Sequence, residues 1–166
     1  MGANIASGAT AKALSLMTGS SGINASLTAM EEVVGTDGAF ASLVEVTAQN
    51  VAPDLVERST AVRYPTANIY CEKVVNDLKE KFRSFSGRVE LAMEIRHSQD
   101  GLDGLENALE LYSDAAAQAL DASRGDWGCG MFYAGGYEIS FGAVKKGGRG
   151  FLQTARIEWD VNVSKS

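Results

Sequence analysis

The sequence predicts an α+β fold in which a mainly antiparallel sheet of four to five strands carries helices on one face. Three segments support this prediction. Residues 88–97 and 154–164 alternate apolar and polar side chains, a period of two that is typical of strands with one buried and one wet face. Residues 102–122 instead place apolar side chains at helical spacing, as expected of a helix that lies on a sheet.

Shorter patterns predict the other elements. Residues 42–51 and 67–71 are predicted to be strands. Residues 72–85 are predicted to form a short amphipathic helix, because four apolar side chains share one helical face: Val74, Leu78, Phe82 and Phe85. Residues 136–144 alternate again, and a short Gly-rich segment joins them to residues 154–164, which predicts a hairpin.

The first 40 residues differ in composition from the rest of the chain. They are rich in Ala, Gly, Ser and Thr and contain no aromatic residue before Phe40. Helical spacing predicts helices over residues 9–17 and 23–34, with turns at 36–38 and 52–54. We therefore divide the chain into a low-complexity helical N-terminal arm, residues 1–40, and a single α+β domain, residues 41–166.

Composition and charge exclude several functional classes. The formal net charge is −6, whereas general nucleic-acid binding needs clustered Lys and Arg. No stretch approaches the ~20 consecutive apolar residues of a membrane span, so no membrane partner is expected. The N-terminus lacks the basic start and long apolar run of a signal peptide. Two distant cysteines do not form a disulfide framework, and reduced thiols in a product made in the cytoplasm are expected.

The sequence predicts no catalytic residue, no metal site and no cofactor. His97 is the only histidine, which removes most metal sites and two-histidine catalysis, and it ends the apolar face of a predicted strand. Cys71 and Cys129 have no nucleophile motif around them. A small cytoplasmic enzyme that pairs one of these thiols with His97 is kept as an alternative of another class.

Two polar segments are candidate contact surfaces. Lys145, Lys146 and Arg149 form a dense basic cluster in the Gly-rich connection, which is not a phosphate-binding loop because a strand follows it. We interpret the cluster either as a solvated hairpin tip or as a loop that faces DNA or an acidic partner. The polar side of the final strand alternates in charge and is predicted to be a surface between subunits: Arg156, Glu158 and Asp160.

Three aromatic residues stand in a Gly-rich stretch before the predicted hairpin: Trp127, Phe132 and Tyr133. Aromatic side chains in such a segment either plug the edge of a sheet or form a contact between subunits. The residue pattern leaves both interpretations open.

The order of these segments resembles the tail-terminator (tail-completion) proteins of long-tailed bacteriophages. The resemblance covers roughly residues 60–164 and rests on FSGRVELAMEIRHS, LENALELYSDAAAQAL, GGYEISFG and FLQTARIEWDVNV. It implies a small α/β fold with an antiparallel sheet flanked by helices, and a structural virion protein without enzymatic activity. Members of the family form hexameric rings that cap the tail tube, join it to the neck and enclose a channel for DNA.

The resemblance also implies a set of partners. These are further copies in a homo-oligomeric ring, the tail tube protein, the sheath if the tail is contractile, and a head–tail connector or head completion protein. Genomic DNA would pass through the channel without sequence-specific binding. Another neck or tail component, such as a connector or a tube subunit, is the alternative within this class, and an adaptor or ligand-binding domain with an open sheet face is a further one.

Overall fold

The structure is a computed structural model that describes residues 4–34, 44–51 and 62–166. The described helices are α1 (Ile5–Thr18), α2 (Ile23–Val34) and α3 (Leu105–Ala122). The described strands are β1 (Glu45–Ala48), β2 (Thr66–Asn76), β3 (Phe85–Gln99), β4 (Gly125–Gly128), β5 (Met131–Tyr133), β6 (Glu138–Phe141), β7 (Lys145–Gly147) and β8 (Gly150–Lys165). The predicted α+β class is confirmed.

All described strands belong to one sheet, whose order is β1-β2-β3-β8-β5-β4. The β1–β2 pair is parallel and the other pairs are antiparallel. β3 covers one edge of β8 from Phe151 to Lys165, while β7, β6 and β5 follow one another along its other edge. The sheet therefore has more strands than the predicted four to five, because strands of three or four residues are too short to show a period of two.

The core lies between the sheet and the helices. Four apolar residues of β3 face four of β8 in register, and all are buried: Val89, Leu91, Met93 and Ile95 opposite Val161, Trp159, Ile157 and Ala155. Leu109, Tyr112 and Leu120 of α3 belong to the same cluster. The predicted helix over residues 102–122 begins in the structure at Leu105, after Gly104 with its positive φ of 81°, and Leu102 is exposed.

The helices predicted over residues 9–17 and 23–34 are both present. Ala9, Ala13 and Met17 of α1 are buried in the same cluster as the sheet, as are Ile23 and Leu27 of α2. The division of the chain at residue 40 stays a prediction. The turns expected at residues 36–38 and 52–54 lie outside the described residues.

The predicted helix over residues 72–85 is wrong. β2 continues through Val74 to Asn76, and Phe85 begins β3, while Leu78 and Phe82 are exposed in the loop between the two strands. The pairing of β2 with β3 decides this geometry, because a strand in a sheet satisfies its backbone groups through its neighbour. The approach is close at Gly87, where an added Cβ would lie 1.9 Å from the carbonyl oxygen of Val75.

Candidate functional site

The face of the sheet that points away from the core carries charged side chains. Because successive residues of a strand point to opposite faces, Glu94 on β3 and Arg156 on β8 share this face and stand directly opposite each other. We call it the open face, and its half-buried or exposed members are Tyr70, Glu90, Glu94, Arg156, Glu158 and Asp160. The predicted subunit surface, Arg156, Glu158 and Asp160, thus lies on one side of β8.

Arg156 is the centre of a hydrogen-bonded network on the open face. Its guanidinium pairs with Glu72 on β2 and with Glu158 on β8, the latter at 2.9 Å. Its Nη1 donates to the Tyr70 hydroxyl at 2.7 Å, and that hydroxyl donates to Oε1 of Glu94 at 3.1 Å. One side chain therefore links strands β2, β3 and β8.

Tyr70 and Arg156 both keep their protons at neutral pH, so the ion pairs and hydrogen bonds of this network keep their form. Burial raises the pKa of Tyr70, and the neighbouring Glu94 carboxylate raises it further, so the phenol remains a donor at neutral pH. The guanidinium of Arg156 is always charged. General acid–base catalysis needs a group whose pKa lies near the operating pH, which neither of these groups provides.

An acidic groove of about 470 Å³ lies beside this network. Residues 135–137 and five carboxylates line it: Glu72, Glu90, Glu138, Glu158 and Asp160. Arg156 pairs with two of them, and Arg88 pairs with Glu90 at 3.1 Å. Within the described residues, Glu138 and Asp160 make no ion pair, and no group of three or more His, Cys, Asp or Glu is placed to hold a metal ion.

The predicted basic loop is a strand and a tight turn. Lys145 and Lys146 lie in β7, which pairs with the start of β8, and Arg149 lies in the turn that joins the two strands. The turn is anchored on Ser98 at the end of β3, whose Oγ accepts a hydrogen bond from the Arg149 backbone N–H at 2.8 Å. Gly148 is needed there, because its φ is +55° and an added Cβ would lie 2.4 Å from Ser98 Oγ. We call Lys145, Lys146 and Arg149 the basic tip.

The three aromatic residues of the Gly-rich stretch have two different environments. Trp127 and Tyr133 are buried in the β4–β5 hairpin with ring centroids 5.7 Å apart, and the Trp127 indole N–H donates to the Ser123 carbonyl at 2.7 Å. Phe132 lies opposite Asn162 of β8 and is half exposed. Trp127 and Tyr133 therefore belong to the core, whereas a contact between subunits stays a prediction for Phe132.

The raised pKa of Tyr133 predicts that the free energy of unfolding falls at alkaline pH. Burial raises its pKa from 10.0 to about 12, and its hydroxyl donates to the Gly136 carbonyl at 2.9 Å. Between these two values the unfolded chain releases the proton and the folded chain retains it, so the free energy of unfolding falls as the pH rises. Below this window the phenol is protonated in both states and adds no slope.

Urea unfolding of the wild type and of Tyr133→Phe, measured from pH about 9 to about 12, checks this expectation. The fall in stability should be shallower in the variant. Tyr70 and Tyr112 are present in both proteins, so the difference belongs to Tyr133. Equal slopes in the two proteins would contradict the assignment.

The residues of the alternative Cys–His pair are far apart. His97 packs edge-on against Tyr112 at 5.2 Å, and burial lowers its pKa. Cys71 pairs with Leu91 of β3. Leu91 and His97 are six residues apart on that strand, a separation of about 20 Å at ~3.3 Å per residue. Burial raises the pKa of the Cys71 thiol, which disfavours the nucleophilic thiolate. Cys129 is exposed in the β4–β5 turn, next to Gly130, which bonds to Ser164 at the other end of the sheet.

The sequence pattern missed two exposed residues. Their spacing predicts Leu78 and Phe82 on the apolar face of a helix, but both project from the loop between β2 and β3, and Phe82 is fully exposed. Val74 and Val75, β-branched and followed by Asn76-Asp77, were the signal for a strand that ends in a turn.

No protein-family model matches the chain, and the search of curated proteins gives no match. In the described part of the structure, no helix combines the length and the apolar character needed to cross a membrane.

Proposed function

We propose that this chain is a structural ring subunit of a long-tailed bacteriophage virion, in the role of the tail terminator. Copies of the chain assemble into a ring, hexameric in the family it resembles, that caps the tail tube. The ring joins the tube, and the sheath of a contractile tail, to the connector or head completion protein of the neck. This role requires surfaces for neighbouring proteins and no catalytic residue or cofactor.

The open face and the strand edge beside it are the observation that best supports the proposal. Among the described strands, β6 pairs only with β8, so its outer edge presents backbone donors and acceptors without a strand partner. Glu138 and Phe141, the ends of β6, are exposed. A charged face next to an unpaired edge is a surface that a neighbouring subunit can cover, and repeated contacts of this kind produce a ring when the rotation between copies closes.

The basic tip supports a channel for DNA in this ring. Its three cationic side chains are exposed, and the turn that carries them is anchored to the end of β3. Attraction between such cations and phosphates is independent of the base sequence, as the passage of a whole genome requires. We therefore place the basic tip at the channel.

Native mass spectrometry and electron microscopy test the proposal. For the purified protein, we expect a closed ring with a central channel wide enough for duplex DNA. In virions, we expect electron microscopy to locate the ring between the tail tube and the head. A protein that stays monomeric at all concentrations and with tail tubes present would overturn the proposal. A ring found elsewhere in the particle would identify another neck or tail component, such as a connector or a tube subunit.

Charge reversal at the basic tip is expected to impair the passage of DNA. The change is Lys145→Glu, Lys146→Glu and Arg149→Glu in one chain, which replaces attraction to the phosphates by repulsion and should lower infectivity by about tenfold or more. Plaque counts on cells that supply only the variant measure this effect. The ring should still form, because the side chains of the tip are exposed.

A matched control reverses three exposed charges on α3 instead, Glu106→Lys, Glu110→Lys and Asp114→Lys. This control should leave infectivity close to the wild-type value. Unchanged infectivity of the basic-tip variant would show that these cations do not act on DNA.

A further inference from the structure

The loop between β2 and β3, residues 77–84, exposes large apolar side chains. Leu78 is 60% exposed and Phe82 is completely exposed. Soluble proteins commonly expose single apolar side chains, whereas two large ones on one short loop offer an apolar surface that a partner can cover. We call residues 77–84 the projecting loop.

Hydrogen bonds hold the projecting loop in one conformation. The Oδ1 atom of Asn76 accepts from the Ser86 backbone N–H at 3.0 Å, and the Glu80 backbone N–H donates to Ser86 Oγ at 3.1 Å. At the far side, the Ser84 backbone N–H donates to the Lys165 carbonyl at 3.0 Å. The loop is therefore fixed on the ends of β3 and β8.

The backbone of the projecting loop turns its apolar residues outward. Leu78 has a φ of 48° and Phe82 a φ of 63°, a left-handed conformation that large L-residues rarely adopt. Residues held in such conformations concentrate at binding and functional sites. The strain, the anchoring and the exposure thus occur at the same two residues.

Cationic residues flank Phe82 in the sequence of the projecting loop. Lys79, Lys81 and Arg83 lie within the loop, against Asp77 and Glu80, which gives a net charge of +1 from three positive and two negative residues. Lys79 lies 3.8 Å from Asp77 and Arg83 lies 3.2 Å from Glu80. Within the described residues, Lys81 makes no ion pair, so its charge is available to a partner.

The acidic groove has complementary features. Glu138 and Asp160 have no cationic partner among the described residues, and Tyr137, which is 39% exposed, offers an aromatic surface at the rim. Gly136, which has no side chain, also lines the groove. Because Phe82 is fully exposed, the projecting loop of a molecule does not occupy the groove of the same molecule.

We propose that the projecting loop of one copy docks into the acidic groove of the next copy. Lys81 then lies against Glu138 and Asp160, and Phe82 packs on Tyr137. The contact joins two different surfaces of the same chain, so each copy offers one loop and one groove, and repetition produces a ring when the rotation between copies closes. The inference rests on the proposed function and specifies the contact that holds its ring together.

Sedimentation and native mass spectrometry of the wild type and four variants test this contact. Phe82→Ser should raise the dissociation constant between copies at least about tenfold, the value of one buried aromatic side chain. Lys81→Glu and Asp160→Lys should each weaken the ring, and more so at low salt, because each places like charges together. The double variant Lys81→Glu with Asp160→Lys should restore assembly to within about threefold of the wild type.

Two matched controls accompany these variants. Leu102→Ser removes another exposed apolar side chain, and Glu110→Lys reverses another exposed acid. Both should assemble like the wild type. Unchanged far-ultraviolet circular dichroism of each variant shows that the subunit is folded.

The outcomes separate this inference from the proposed function. A wild-type ring that is weakened by the single changes and restored by the double variant supports both. If Phe82→Ser and both charge reversals leave the dissociation constant between copies unchanged, the docking contact is overturned and the proposed function stays intact. A wild-type chain that never assembles overturns both, since no contact between copies then exists.

Discussion

Replacement of Glu94 by glutamine is expected to lower the free energy of unfolding by about 3–5 kcal/mol. The Arg96 guanidinium is fully buried and pairs with the Glu94 carboxylate. Within the described residues its Nε and Nη1 atoms have no hydrogen-bond partner, so Glu94 is the group that balances its charge. The glutamine keeps the shape of the side chain but leaves a buried cation without a counter-charge.

Urea unfolding followed by tryptophan fluorescence measures this loss, because Trp127 and Trp159 are both buried. Glu158→Gln is the matched control: it removes a half-exposed carboxylate from the same network and should cost less than about 1 kcal/mol. Adding Arg96→Met to Glu94→Gln should recover most of the stability, since the buried charge is then gone as well. A loss below about 1 kcal/mol for Glu94→Gln would show that Arg96 is balanced by another group.

Truncation of Ile157 to alanine is expected to cost about 2–5 kcal/mol. Ile157 is fully buried in the middle of β8, where it stands between Met93 of β3 and Ile139 of β6. The deleted carbons leave a cavity that three paired strands cannot collapse to fill. The loss then includes the missing packing as well as the transfer of the removed atoms.

A graded series makes the Ile157 result specific. Ile157→Val should cost only about 0.5–1.5 kcal/mol. Asn162→Ala, on the exposed side of the same strand, should stay within about 0.5 kcal/mol of the wild type. Equal losses for Ile157→Ala and Asn162→Ala in chemical denaturation would contradict the assignment of the two faces of β8.

The long periodic segments were predictable because one face of each is buried over many residues. β3, β8 and α3 have 15, 16 and 18 residues, so their periods of two and of 3.6 repeat several times. The same alternation placed Arg156, Glu158 and Asp160 on one side of a strand. Whether neighbouring copies cover that side stays a prediction.

The projecting loop and the end of β2 were not predictable in this way. Val74, Leu78, Phe82 and Phe85 match a helical face, but the spacing arises by chance from two strand residues and two exposed loop residues. A bulge between Cys71 and Lys73 also shifts the alternation of β2. The pairing of β2 with β3 decides the structure of this segment. This pairing joins residues that are far apart in sequence, and the local spacing of apolar residues does not contain that information.

The hydrogen-bonded network around Arg156 also depends on the order and register of the strands. Tyr70, Glu72 and Glu94 come from β2 and β3 and meet Arg156 only because β3 lies between β2 and β8. The short strands β4, β5 and β7 likewise depend on their partners. Their residues form strands because the edge of β8, or of a strand on it, offers free hydrogen-bonding groups.

The position of β8 has a consequence for the order of folding during synthesis. β8 bonds to β3, β5, β6 and β7, and all four are translated before it. Its pairs with β3 join residues from 52 positions apart, Gln99 with Phe151, to 80 apart, Phe85 with Lys165. A nascent chain without β8 therefore exposes the long edge of β3 and several short strands. Such unpaired edges can form incorrect strand pairs with another chain. The described sheet, and with it the open face, is complete only once β8 has been translated.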